Sequence, residues 1–156
     1  MYKEEFMKEA IALAHKCMED SSGGPFGVVI VKDGRVVGRG RNRVTADNDP
    51  TAHAEVMAIR DACRQLDTFQ LDGCEIYTSC EPCPMCFGAI YWAHIDRIYY
   101  AANQYDASDA GFDDSFIYKE IDLPKSERSI PFEQHERADA VKVFEQWKKW
   151  DGRIDY

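Results

Sequence analysis

The sequence predicts an α/β domain in three layers, with a mixed sheet between helices on both faces. Three observations carry this. An apolar run, Phe26–Val31, meets Asp33-Gly34, a two-residue pair that favours a tight hairpin, and continues as a second extended run. Beyond it, stretches of helical period alternate with short β-branched and aromatic runs. No repeat or low-complexity segment breaks the alternation. With 156 residues, 45% of them apolar and 30% charged, the chain reads as one globular domain over 1–156 with a full core.

In order, Phe6, Ala10, Leu13, Ala14 and Cys17 recur at helical spacing and predict a first helix over about 3–20, ended by Ser21–Pro25. The hairpin follows, its second strand running over 35–41 and ending at Asn42. Residues 45–50 read as a polar loop. Thr51 is the expected N-cap of a second helix reaching about Leu66, with Val56, Ile59, Cys63 and Leu66 inward. Glu75–Thr78 is a third strand. A third helix is expected from about Pro82, with Met85, Ala89, Ile90 and Ala93 inward, and Arg97–Ala101 is a fourth strand. Then come a loop rich in Asp and Ala, a short helix over 115–120 and an extended stretch over 123–131. A last helix carries Ala138, Val141, Phe144 and Trp147 and closes at Gly152.

Composition narrows the function. No apolar run approaches the ~20 residues of a membrane span, and the charged first ten residues do not resemble an export signal. These observations lead us to expect a cytoplasmic protein whose six cysteines are reduced thiols or metal ligands. Cys17 and Cys63 fall on apolar helix faces as inert buried thiols. A net charge of −9 disfavours nucleic acid as partner, because polynucleotide binding draws on neutralised phosphates. The one basic stretch, Arg39 to Arg43, reads as a solvated strand edge.

His53-Ala54-Glu55 and, downstream, Pro82-Cys83-Pro84-Met85-Cys86 carry the chemistry. One imidazole and two thiolates make three zinc ligands, and a catalytic zinc keeps a fourth position open where a structural one closes it. Residues two apart on a helix diverge by roughly 200°. His53 and Glu55 can therefore share a site only beyond a helix N-terminus, which predicts two helix N-termini meeting at one metal. Zn²⁺ with two thiolates and a neutral imidazole has formal charge zero and acidifies water less than an all-imidazole shell. Glu55 fits the second base this requires. His15, His94 and His135 read as caps or core groups. A structural alternative remains open, with Cys80 as fourth ligand of a zinc scaffold.

These motifs resemble the zinc nucleobase deaminases, whose pattern is H-x-E…P-C-x-x-C. Gly24–Gly27, Asn48–Glu55 and Tyr77–Ala93 resemble the cytidine deaminase-like superfamily; Ala110–Ile121 and a terminal tyrosine resemble its bacterial guanine deaminase branch. The resemblance implies a five-stranded mixed sheet, a homodimer, and a C-terminal helical segment, 131–156, exchanged between subunits. It implies zinc on His53, Cys83 and Cys86 and a proton shuttle at Glu55. It further implies a guanine pocket of Phe26, Asn42, the Ala54 N–H, Asp114 and Tyr156. By residue type alone, Asp113 or Asp114 also fits a helix cap, Phe26 a core position, Asn42 a turn and Tyr156 a frayed end. The activity implied is hydrolysis of guanine to xanthine and ammonia. A tRNA adenosine deaminase and a cytosine deaminase share the motifs and stand as alternatives.

Overall fold

Asp33 and Gly34, at φ 50° and 73°, join β1 (Gly27–Lys32) to β2 (Arg35–Arg41), both left-handed as a two-residue hairpin turn demands. This computed structural model describes residues 1–156. The sheet order is β2-β1-β3-β4, with β3 at Cys74–Cys80 and β4 at Arg97–Ala102. β1 pairs antiparallel with both β2 and β3, whereas β3 and β4 are parallel, joined through α4 (Pro84–Trp92). The sheet is mixed, as expected, but has four strands rather than five. After Ala102 the chain enters a capped helix, and residues 123–131, expected to be extended, hold a 3-10 turn at Lys125–Glu127. Pro124 and Pro131 lack the N–H a ladder requires.

β1 is apolar from Val28 to Val31 because both its faces are covered. Val29 and Val31 meet Phe6 and Met7 of α1 (Glu4–Glu19), together with Tyr77. Val28 and Ile30 meet Ala54, Ala58 and Ala62 of α3 (Ala54–Leu66), with Ile76 and Ile90. The three layers are thus α1, the sheet, and α3 with α4. The inward stripe of α3 differs from the expected one. Ala54, Ala58 and Ala62 are fully buried, while Ile59, Cys63 and Leu66 only flank the core. Gly38 and Gly40 of β2 explain this: a Cβ at Gly40 would overlap the Ala54 carbonyl and crowd the Ala58 nitrogen, so helix and strand approach backbone to backbone. On α4, Cys86 and Ile90 are buried and Met85 faces outward, contrary to expectation.

Two short helices stand where loops were expected: α2 (Val44–Asp47) and α5 (Gln104–Asp109). The second has a readable signal, a capping box in which Asn103 Oδ1 accepts the Tyr105 and Asp106 N–H groups while Asp106 accepts that of Asn103. The chain resolves into two compact units, 1–114 and 115–156. The second holds α6 (Ser115–Asp122) and α7 (Arg137–Lys149), neither of which buries a residue.

Candidate metal and catalytic site

Phe26, Asn42, Glu81 and Asn103 each lie next to a strand end, at β1, β2, β3 and β4, and all at the same edge of the sheet. The helices following β2 and β3 begin there. His53, not Thr51, is the N-cap of α3, with extended φ −68° and ψ 155°; Thr51 is held earlier by Asp49, which accepts both its N–H and its hydroxyl. Cys83 is the N-cap of α4, and Pro84 takes the first helical position. At a cap the backbone is not yet helical. His53 and Glu55 therefore escape the divergence of an i, i+2 helical pair and face one site, as do Cys83 and Cys86. Two helix N-termini meet as expected, and their positive ends favour anionic groups.

His53 Nδ1 lies 3.5 Å from the sulfur of Cys83 and 3.5 Å from that of Cys86. A tetrahedral zinc with bonds of about 2.3 Å to sulfur and 2.0–2.1 Å to nitrogen sets an N···S edge of about 3.6 Å. The three donors match it. Cys80 is not among them: its thiol turns to the Asn103 carbonyl at 3.7 Å, and burial pushes it up to about 11. The scaffold with a fourth sulfur ligand is thereby excluded.

Charge points the same way. Hydrogen bonds from Cys86 and His53 hold Cys83 down to about 4, whereas the neighbouring Cys83 thiolate and burial drive Cys86 far upward. The hydrogen bond to Cys83 raises His53. Burial raises Glu55, whose Oε2 accepts from the Cys86 thiol at 3.3 Å. With one imidazole among them, Cys83, Cys86 and Glu55 cannot all ionise unless a cation joins them. Zinc fits this donor set.

Around this centre, Asn42 is 5% exposed, and its Oδ1 accepts the Gly24 and Val44 N–H groups at 3.2 and 3.1 Å. Those two donors fix the amide orientation and leave the NH₂ for another acceptor. Ala54 occupies the first helical position, where an N–H has no intrahelical partner. The Phe26 ring meets Phe112 edge-on at 4.9 Å, a neighbour that sequence reasoning missed. Gly111, at φ 93°, offered the signal, since it turns the chain after α5. Burial raises the Asp114 carboxyl, and the negative charge of Cys83 raises it further. Tyr156 ends the second unit and is exposed. Arg39, Arg41 and Arg43 are each paired, with Glu9, Asp20 and Asp47, so the basic stretch is a neutralised edge.

Residues 1–102 match the family described as the cytidine and deoxycytidylate deaminase zinc-binding region. A guanine deaminase of Bacillus subtilis (strain 168) is 54% identical over 156 residues, all of both chains. An X-ray structure of guanine deaminase from Bacillus subtilis superposes with a TM-score of 0.96 at 54% identity, covering 100% of this chain and 99% of that one. A tRNA-specific adenosine deaminase of Aquifex aeolicus (strain VF5) is 34% identical over 149 residues, 96% of this chain and 95% of that protein.

Proposed function

This chain belongs to the cytidine and deoxycytidylate deaminase zinc-binding family, and from that premise we propose that it is a zinc-dependent guanine deaminase, releasing xanthine and ammonia. The observation that carries the reading is full-length likeness to a guanine deaminase in a chain whose three donors fit one tetrahedral ion. Zinc bound by His53, Cys83 and Cys86 would supply a Lewis acid that makes water nucleophilic at neutral pH.

The chain's own groups then do the proton work. Glu55, buried beside the Cys86 sulfur, takes a proton from the attacking water. As the C2–O bond forms, it delivers that proton to the neighbouring ring nitrogen. The proton of the new C2 hydroxyl then passes through the same carboxyl to the amine, so that C2=O forms as the C2–N bond breaks and ammonia leaves. A carboxyl raised by burial suits both accepting and returning a proton. Asn42 donates its NH₂ to an acceptor on the purine edge, and the Ala54 N–H meets a second. Phe26 lines the base. Asp114, whose carboxyl burial and the charge of Cys83 raise, and Tyr156 sort guanine from bases that would leave their groups unpaired.

A tRNA adenosine deaminase uses the same metal pattern and is the rival reading. The net charge of −9 and the pairing of Arg39, Arg41 and Arg43 favour a free base over a polynucleotide. Zinc-loaded protein is incubated with guanine, cytosine and an adenosine-bearing anticodon stem, and ammonia is measured. Ammonia from guanine, at rates orders of magnitude above the other two, is expected; release only from the anticodon stem would replace this reading with the rival.

We place the enzyme in the cytoplasm, since two thiolate ligands require a reducing compartment. We also assign it a homodimer with exchanged chain ends. Helices α6 and α7 expose Phe116, Val143 and Phe144, and α4 presents Phe87 and Tyr91, their rings 4.7 Å apart, on its outer face. Apolar surface on this scale calls for a partner, and a second copy of the chain is the partner that the guanine deaminase branch implies.

A further inference from the structure

We propose that Glu81 is a positioning residue for the deamination: its carboxylate ties the start of α5 to the loop that carries Cys83 and thereby fixes Phe112 and Asp114 against the metal site. The proposal rests on the guanine deaminase reading for its kinetic consequence alone.

The hydrogen bonds at the start of α5 carry it. The first turn of a helix offers N–H groups that the helix itself cannot satisfy. Asn103 Oδ1 takes those of Tyr105 and Asp106, and the Asp106 carboxylate takes that of Asn103. The remaining one, Gln104 N–H, goes to Glu81 Oε2 at 3.0 Å, the one link in the set supplied from another element. The main chain on the same segment adds to it: Glu81 N–H donates to the Ala102 carbonyl at 2.8 Å, extending the β3–β4 ladder past Cys80 and Ala102. Cys80 turns its thiol to Asn103. Cys83, the metal ligand, follows two residues after Glu81.

The other end of α5 leads to the substrate groups. α5 has six residues, too few to hold a helix without anchors. Phe112 N–H closes on the Ala107 carbonyl at 2.9 Å, Gly111 turns the chain at φ 93°, and Phe112 packs on Phe26. Asp114 follows two residues later. Whatever fixes the start of so short a helix fixes the aromatic wall and the acid beyond it. A carboxylate accepting a backbone N–H is stronger than a neutral bond and has a defined direction.

Glu81→Ala, Glu81→Gln and Gln104→Pro test this. Proline deletes the donated N–H from the other side, at a first helical position where proline is tolerated, and Asn103 (φ −100°, ψ 176°) already suits a following proline. In zinc-loaded enzyme, Glu81→Ala and Gln104→Pro are expected to raise KM for guanine about ten-fold with kcat changed less than about two-fold, the size of one charge-assisted hydrogen bond. Glu81→Gln, whose amide oxygen still accepts, should stay within about two-fold of the parent. Glu81→Ala combined with Gln104→Pro should be no worse than either alone. Zinc content and the absorption spectrum of the cobalt(II)-substituted protein should not change. Parent-like KM in both single variants, additive effects in the double, an amide variant as poor as the alanine one, or loss of zinc would each overturn the proposal. Should Glu81→Ala fail to fold, Gln104→Pro decides alone. No ammonia from guanine in the parent rejects the substrate reading instead; amide exchange over 104–114 then decides, expected faster in Glu81→Ala and restored in Glu81→Gln, with parent-like exchange in Glu81→Ala as the failure.

Discussion

Glu55 is the only charged side chain in the protein that is buried, 6% exposed beside the sulfur of Cys86. Its place is costly without metal and useful with it. Burial holds its carboxyl above the ordinary 4.5, so the folded chain keeps that proton more tightly than the unfolded chain does. In the metal-stripped protein its contribution is therefore most favourable below pH 4.5 and is lost as pH rises through the folded value. Glu55→Gln removes this penalty. The metal-free variant should melt at a higher temperature than the metal-free parent at pH 7, by calorimetry, and the gap should close toward pH 4. Zinc-loaded Glu55→Gln should keep its metal and lose about 10²–10⁴-fold in kcat, the span of a general acid–base group. A variant turning over guanine at the parent rate would remove Glu55 from the proton path.

At the scale of elements, the site depends on how closely α3 lies on β2. Gly38 and Gly40 face Ala54, Ala58 and Ala62 with no side chain between, and this sets the height of His53 and Glu55 over the sheet edge. Gly40→Ala pushes a methyl into backbone, which cannot swing away as a flexible side chain would. We expect a cost of about 1–3 kcal/mol, read as a lower urea midpoint. Because the same displacement lifts His53, zinc should pass to a competing chelator faster than from the parent. An unchanged midpoint and metal affinity would show that the helix adapts without moving the ligand. The α4 end is less exposed to such a shift, since Pro84 sets the first turn and Cys83 and Cys86 sit three apart on it.

Across the whole molecule, the two units differ in kind. Residues 1–114 hold every buried side chain, while 115–156 contains amphipathic helices with exposed Phe116 and Phe144, and an exposed Trp150 just past α7. Exchange of the second unit between two copies predicts a particle of twice 17.9 kDa by light scattering. Chains lacking 150–156 should bind zinc and fail on guanine, and so should full-length Glu55→Gln. Mixing the two should restore activity, because a mixed dimer joins an intact Glu55 from one chain to an intact end from the other. Statistical pairing then gives about a quarter of the parent rate per site. No recovery on mixing would mean that each chain end serves its own site or none.

The metal site was legible in the chain because its ligands fall in two short motifs, His53 with Glu55 and Cys83 with Cys86, each recognisable by itself although 30 residues separate them. The hairpin at Asp33-Gly34, the first helix and the apolar run of β1 were legible for the same reason, a period, a run or a turn residue read over a few positions. The tertiary structure alone decided which face of α3 is buried and that Cys80 turns away from the metal. Both depend on a backbone approach or a hydrogen bond between segments well apart in the chain: Gly40 under Ala54, and the Asn103 carbonyl opposite Cys80. Glu81 belongs to that second class. Nothing in its neighbours marks it, because its partner is a backbone N–H 23 residues away.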